Sequence, residues 1–127
     1  MVLHFLVINK ERFINYLLLR VVMAQEIHVI VHPGVVLSSI DRSPKARAVW
    51  ENIQRIINCG EYFKVYGDPN QLPADLPAPY PELTVLVSGG MASNCVEKQV
   101  FALGEAGYRA RTNYPACYDY NFDSHSY

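Results

Sequence analysis

Three cysteines, four histidines and a few loop carboxylates are the residues of this 127-residue chain that could do chemistry. Cys95 stands apart from Cys59 and Cys117 because of what precedes it. In Val87-Ser88-Gly89-Gly90-Met91-Ala92-Ser93-Asn94-Cys95-Val96 an apolar strand pattern runs into glycines and then into a helical pattern. Glycines after a strand let the backbone turn sharply and leave amide groups pointing into a cleft. A helix that begins there turns its positive dipole end toward the same place. A cysteine in the first turn of such a helix has its thiolate favoured, and the same N–H groups can hold an oxyanion formed in nucleophilic attack. Cys95 is thus the candidate nucleophile, with Ser88, Gly89, Gly90, Ser93 and Asn94 as candidate binding residues. The competing reading of Cys95 is a small residue packed under its helix. His32 is the nearest base, since it follows the first strand at the same sheet end and a Cys–His pair is a workable nucleophile–base arrangement. Its alternative is a plain loop residue before Pro33-Gly34. Asp41 and Asp68 could orient such a base or could serve as cap and turn formers.

The elements that must position these residues can be read from periodicity. Ile27 to Val31 is a β-branched run stopped by His32-Pro33-Gly34, as a buried strand would be. A loop is expected next. Ser43-Pro44 then starts a helix, serine as N-cap and proline at its first position, with Val49, Ile53 and Ile57 at spacing four and Gly60 as the stop. Tyr62 to Tyr66 is a second strand, closed by Gly67-Asp68-Pro69-Asn70. Residues 69–81 hold five prolines and cannot be helix, so they read as a surface loop that crosses or covers something. Leu83 to Val87 is the clearest strand. A helix begins near Ser93 or Asn94, keeps Val96, Val100 and Leu103 on one stripe, and ends at Gly107. Tyr108 to Thr112 is a last strand, and residues 114–127 a tyrosine-rich tail. This order predicts an α/β fold, a three-layer sandwich with a mostly parallel sheet, in which function collects at the carboxyl ends of the strands.

Composition narrows the field further. A chain of this size that is 50% hydrophobic and 18% charged fits one domain, here residues 23–127. A formal net charge of −1 offers no cationic excess for phosphates, so nucleic acid is not an expected partner. Residues 2–23 are apolar-rich, but Asn9, Lys10, Glu11, Arg12, Asn15 and Arg20 break them into runs too short to span a bilayer, and no signal-peptide order is present. Met23 opens the stretch MAQEIHVIV, so residues 1–22 read either as an N-terminal extension or as an amphipathic helix over 11–22 with Phe13, Leu17 and Val21 on one side. Three widely spaced cysteines make a disulfide framework unexpected and point to a reducing cytoplasm. No metal or cofactor is expected: there is no CxxC pair, and His4, His28, His32 and His125 are scattered.

Gly90 to Val96, then Gly107-Tyr108-Arg109, then Pro115-Ala116-Cys117 with His125 downstream, resemble the C-terminal part of isochorismatase-like cysteine hydrolases over about forty residues. In that family a Gly-x-x-Thr-Asp/Asn-x-Cys-Val segment places the nucleophile at a helix start. The resemblance implies that Cys95 is the nucleophile and that the chain is a truncated, Rossmann-like member. One residue fewer separates Asn94 from Cys95 than in the family, and Pro115 stands where the family has aspartate. Ile30-Val31-His32 occupies the stretch that carries its aspartate base, and no lysine aligns, since Lys64 comes too early. Only Cys95 carries over. Losing the aspartate and lysine removes proton transfer and charge stabilisation, so a degenerate or re-purposed site enters the expectation. A second resemblance is to the Ser-Gly-Gly-x-Asp-Ser loop of PP-loop ATP pyrophosphatases, with Ala92 in place of the aspartate and only 34 residues following Ser93.

These observations lead to one main expectation: a cytoplasmic, hydrolase-type α/β domain acting on an amide or related bond of a small molecule. A PP-loop-like nucleotide binder, or a non-enzymatic ligand- or partner-binding domain, is the alternative. Some of the tail aromatics (Tyr114, Tyr118, Tyr120, Phe122, Tyr127) are expected to close the sheet edge or the site; the other reading is a surface for a partner chain, and with an exposed sheet edge it leaves room for a homo-oligomer.

Overall fold

The computed structural model describes residues 25–124. The readings of residues 1–22 and of His125 lie outside them. Four strands form one sheet: β1 (Gln25–Val31), β2 (Tyr62–Val65), β3 (Leu83–Gly90) and β4 (Arg109–Tyr118). They lie in the order β2-β1-β3-β4, every pair parallel. Between them come α1 (Pro33–Leu37), α2 (Pro44–Cys59), a π turn (Ala92–Val96) that runs directly into α3 (Glu97–Glu105), and a closing α4 (Tyr120–Ser124).

Side chains alternate between the two faces of the sheet, and an apolar cluster lies on each face, which makes the sheet the middle of three layers. Ile27, Val29, Val31, Leu83, Val85 and Val87 face a core shared with Ala92, Val96 and Leu103 of the π turn and α3. Ile30 faces the other way, into a second cluster with Val36 of α1 and Ala46, Val49 and Ile53 of α2. Strand alternation of period two and helix spacing of three to four are what sort these residues. The expected α/β sandwich with a parallel sheet is therefore present.

Helix α2 begins as its sequence indicates. The Ser43 hydroxyl accepts from the Ala46 N–H at 3.1 Å, Pro44 follows it, and Gly60 closes the helix. The connection from β2 to β3 has no helix. The proline loop does a crossover helix's work, packing Leu76 and Tyr80 on the first core. It is tied down by the Tyr108 hydroxyl donating to the Pro77 carbonyl at 2.6 Å and the Tyr80 hydroxyl donating to Gln25 Oε1 at 3.2 Å.

Three local expectations change. The loop expected after His32 contains α1, because proline is at home in a first helical turn. The glycines expected as a turn after β3 are its last residues, paired with Cys117 and Tyr118. The last strand does not stop at Thr112. It bulges at 113–116, four residues facing Ser88 alone, and resumes at Cys117, so a strand can contain Pro115 without losing a ladder bond.

Candidate functional site

The strand order reverses direction between β1 and β3: the chain leaves β1 for β2 on one side and later returns to build β3 and β4 on the other. In open parallel sheets ligands bind outside the carboxyl ends of the strands at such a switch point. Val31 pairs with Gly89 there. The next residue on one side is His32; on the other, Gly90 leads through a cis peptide bond to Met91 and the π turn that carries Cys95.

Glycine is required at position 89. Its φ is +115°, and a Cβ there would stand 1.9 Å from the Val31 carbonyl oxygen, so β1 and β3 close up only around a bare Cα. Gly90 is tight as well, with a Cβ position 3.3 Å from Val35 of α1. Ser88 is fully buried, and its Oγ accepts from Asn113 Nδ2 at 3.2 Å, a contact made available by the β4 bulge. Ser88, Gly89 and Gly90 thus form the floor of the switch point and belong to the sheet.

Cys95 sits in the first turn of the continuous helix, half-buried, against the first core cluster. The π turn is drawn by the Val96 N–H donating to the Met91 carbonyl at 3.1 Å, and the Asn94 N–H donates to that carbonyl too, also at 3.1 Å. Single π turns of this kind are frequent at functional sites. The Ser93 N–H is held by Asp119, donating to Oδ2 at 2.9 Å, and the Ser93 hydroxyl donates to the same oxygen. Two of the amides expected to hold an oxyanion are therefore engaged within the protein, while the Ser93 and Asn94 residues themselves are exposed.

Asp119 was not foreseen. It follows β4 directly and is 4% exposed. Burial alone would raise its carboxyl. The Ser93 hydroxyl, the Asn121 N–H at 3.0 Å and the Ser93 N–H outweigh that and hold it below the ordinary carboxylate value. A carboxylate at this helix start also suits the dipole.

His32 is half-buried and adopts a left-handed backbone conformation, φ 45° and ψ 57°, uncommon outside glycine. Three bonds fix it: its N–H donates to the Val65 carbonyl at 2.9 Å, its carbonyl accepts from the Val35 N–H at 3.0 Å, and its Nε2 meets the Gly67 carbonyl oxygen at 2.7 Å. A carbonyl can only accept, so Nε2 carries the proton and Nδ1 is the basic nitrogen of the neutral ring. His28 cannot take that part. It lies mid-β1 near Gly60, and burial outweighs Glu26 in lowering its pKa.

The other sequence candidates are placed differently. Asp68 Oδ1 accepts from the Asn70 N–H at 2.9 Å and from Asn70 Nδ2 at 3.0 Å, which makes it a turn former. Asp41 lines a pocket of about 320 Å³ at the start of α2 with Arg42 and Arg47. Lys64 lies on the edge strand, its ammonium over the rings of Tyr62 and Tyr66. Neither of two further pockets is lined by Cys95 or His32. One of about 200 Å³ includes Gly67 and Asp68, and one of about 260 Å³ is lined by Ser39, Arg42, Ser43, Tyr118 and Tyr120. Cys59 is exposed. Cys117 is buried, its Sγ 3.4 Å from the Val87 carbonyl, and burial pushes its thiol up to about 12 against backbone bonds from Gly89 and Asn113.

Among the described residues no three His, Cys, Asp or Glu side chains gather to hold a metal ion, and no helix is long and apolar enough to cross a membrane. Comparison of the chain with protein-family models, with curated proteins and with solved structures finds no match.

Proposed function

We propose that the protein is a cysteine-dependent hydrolase of isochorismatase-like type, acting on an amide or related carbon centre of a small molecule in the reducing cytoplasm. One observation carries the reading: Cys95 stands in the first helical turn after β3, the strand that pairs with β1 at the switch point, and β1 is followed directly by a histidine whose ring is oriented by a backbone carbonyl. The resemblance of Gly90 to Val96 to the nucleophile segment of that family supports it. His32 stands in for the family's aspartate.

In this scheme His32 Nδ1 takes the Cys95 thiol proton as Sγ attacks the carbonyl carbon. The tetrahedral oxyanion is met by the exposed Asn94 carboxamide, since the Ser93 and Asn94 amides are engaged. Collapse expels the amine, which leaves with the proton from His32, and a thioester remains. Water then attacks the thioester while giving its proton to His32. Release of the acid returns that proton to the Cys95 sulfur.

The test is the pH dependence of thiol alkylation on the folded chain, each cysteine followed by mass spectrometry and Cys95→Ser as control. Labelling of Cys95 on the folded chain faster than that of the exposed Cys59 is expected, and primary amides such as nicotinamide become the compounds to screen. A Cys95 that labels only after denaturation overturns the hydrolase reading and leaves a ligand- or partner-binding domain. Cys59 and Cys117 supply the exposed and buried references.

A further inference from the structure

Gln99 lies one helical turn beyond Cys95 on the same continuous helix, so the two share a face. It is the polar member of an otherwise apolar stripe with Val96 and Leu103, and it is fully buried. Its Nε2 donates to the carbonyls of Pro69 and Gln71, both at 2.9 Å, while its Oε1 is buried with no partner. Methionine or leucine would fill this position without stranding an acceptor, so packing alone does not account for the amide.

What the amide holds is the segment that orients His32. Residues 67–71 are fastened at one end by His32 Nε2 on the Gly67 carbonyl and at the other by Gln99 on the Pro69 and Gln71 carbonyls. The Asp68–Asn70 turn and the Gln71 N–H donating to the Asp68 carbonyl at 3.1 Å make the intervening residues one unit. A shift at Pro69 therefore moves Gly67.

We propose that Gln99 is a positioning residue for His32: through residues 67–71 it holds the Gly67 carbonyl where it keeps the ring proton on Nε2 and leaves Nδ1 as the base. The helix that carries the nucleophile thereby also sets the tautomer of the base. The catalytic meaning rests on the Cys95–His32 reading; the coupling itself does not.

Two measurements on the full chain test it, neither using activity. The first is the two-bond nitrogen–proton spectrum of His32 at a pH where the ring is neutral. In the wild type the pattern of the Nε2–H tautomer alone is expected. In Gln99→Met, similar in size but with no donor, that pattern is expected to give way to a mixture of both tautomers, with amide spectra confirming the fold. An unchanged His32 pattern in folded Gln99→Met overturns the proposal. The second needs no variant and decides the matter if Gln99→Met does not fold. In the wild type the Gln99 carboxamide protons and the His32 Nε2 proton should exchange with solvent through one shared opening and respond alike to added urea. Protected Gln99 protons beside a freely exchanging His32 proton overturn it. An inert Cys95 with the coupling intact would sink the hydrolase reading alone; a reactive Cys95 without the coupling would sink only this one.

Discussion

Ser93 gives both its N–H and its hydroxyl to one oxygen of Asp119, which fastens the helix start that carries Cys95 to the end of β4. Because the carboxyl is held below its ordinary value, its contribution to stability is present above the unfolded value of ~3.9 and lost as pH falls through the lower folded value. Ser93→Ala keeps the amide bond and removes the hydroxyl. We expect a loss of about 1 kcal/mol at neutral pH, seen as a lower urea midpoint, and convergence of variant and wild type once Asp119 is protonated in both. An equal loss at both pH values would mean that the hydroxyl acts through packing. This contact was not legible in the sequence, since the partners are 26 positions apart and meet only through the register of β3 and β4. Gln99 left a trace that could have been read: a polar residue three positions after Val96 and four before Leu103, on the stripe that buries. Cys95 at a helix start and His32 at a strand end were legible, because local spacing places each against its own element.

At the scale of elements, local pattern gave the cores of β1, α2, β2, β3 and α3, and non-local pairing set their ends. The Ser88-Gly89-Gly90 run shows the difference. Glycines after an apolar run read as a turn, yet here they extend β3 because its neighbour approaches so closely that no side chain fits. Gly89→Ala should accordingly be among the most damaging single changes available. It sets a Cβ into the Val31 carbonyl at a positive φ, and separating β1 from β3 would also displace His32 from the end that bears Cys95. A loss of more than about 3 kcal/mol is expected, read as a collapse of the urea midpoint or of soluble yield. Gly34, where a Cβ meets nothing within 4 Å, is the control position, and its alanine variant should stay close to wild type. The bulge that carries β4 past Pro115 has a comparable logic. Asn52 of α2 donates to the Pro115 carbonyl at 2.7 Å and Asn113 donates to Ser88, so two of the four residues that leave the ladder are bonded elsewhere.

At the scale of the whole fold, the described residues form a four-stranded open sheet with two edges to protect, and β2 is the shorter of the edge strands. Tyr62, Phe63, Lys64, Val65 and Tyr66 would make an aromatic and β-branched template for another chain were it not for the central lysine. The Lys64 ammonium stands 5.7 Å from the Tyr62 ring centre and 5.9 Å from that of Tyr66, which keeps the cation over the two rings it shields. Pairing another strand along this edge would bring that charge against a second copy of itself in any antiparallel self-association that opposes the two lysines. Lys64→Val should therefore leave the stability of the fold within about 1 kcal/mol of wild type, since the site is exposed. The same variant is expected to raise concentration-dependent association, measured by light scattering and sedimentation, while Lys64→Glu, which replaces one charge with another, should not. If Lys64→Val stays as monodisperse as the wild type across the accessible concentration range, the edge is guarded by its shortness alone and the lysine is there for some other reason.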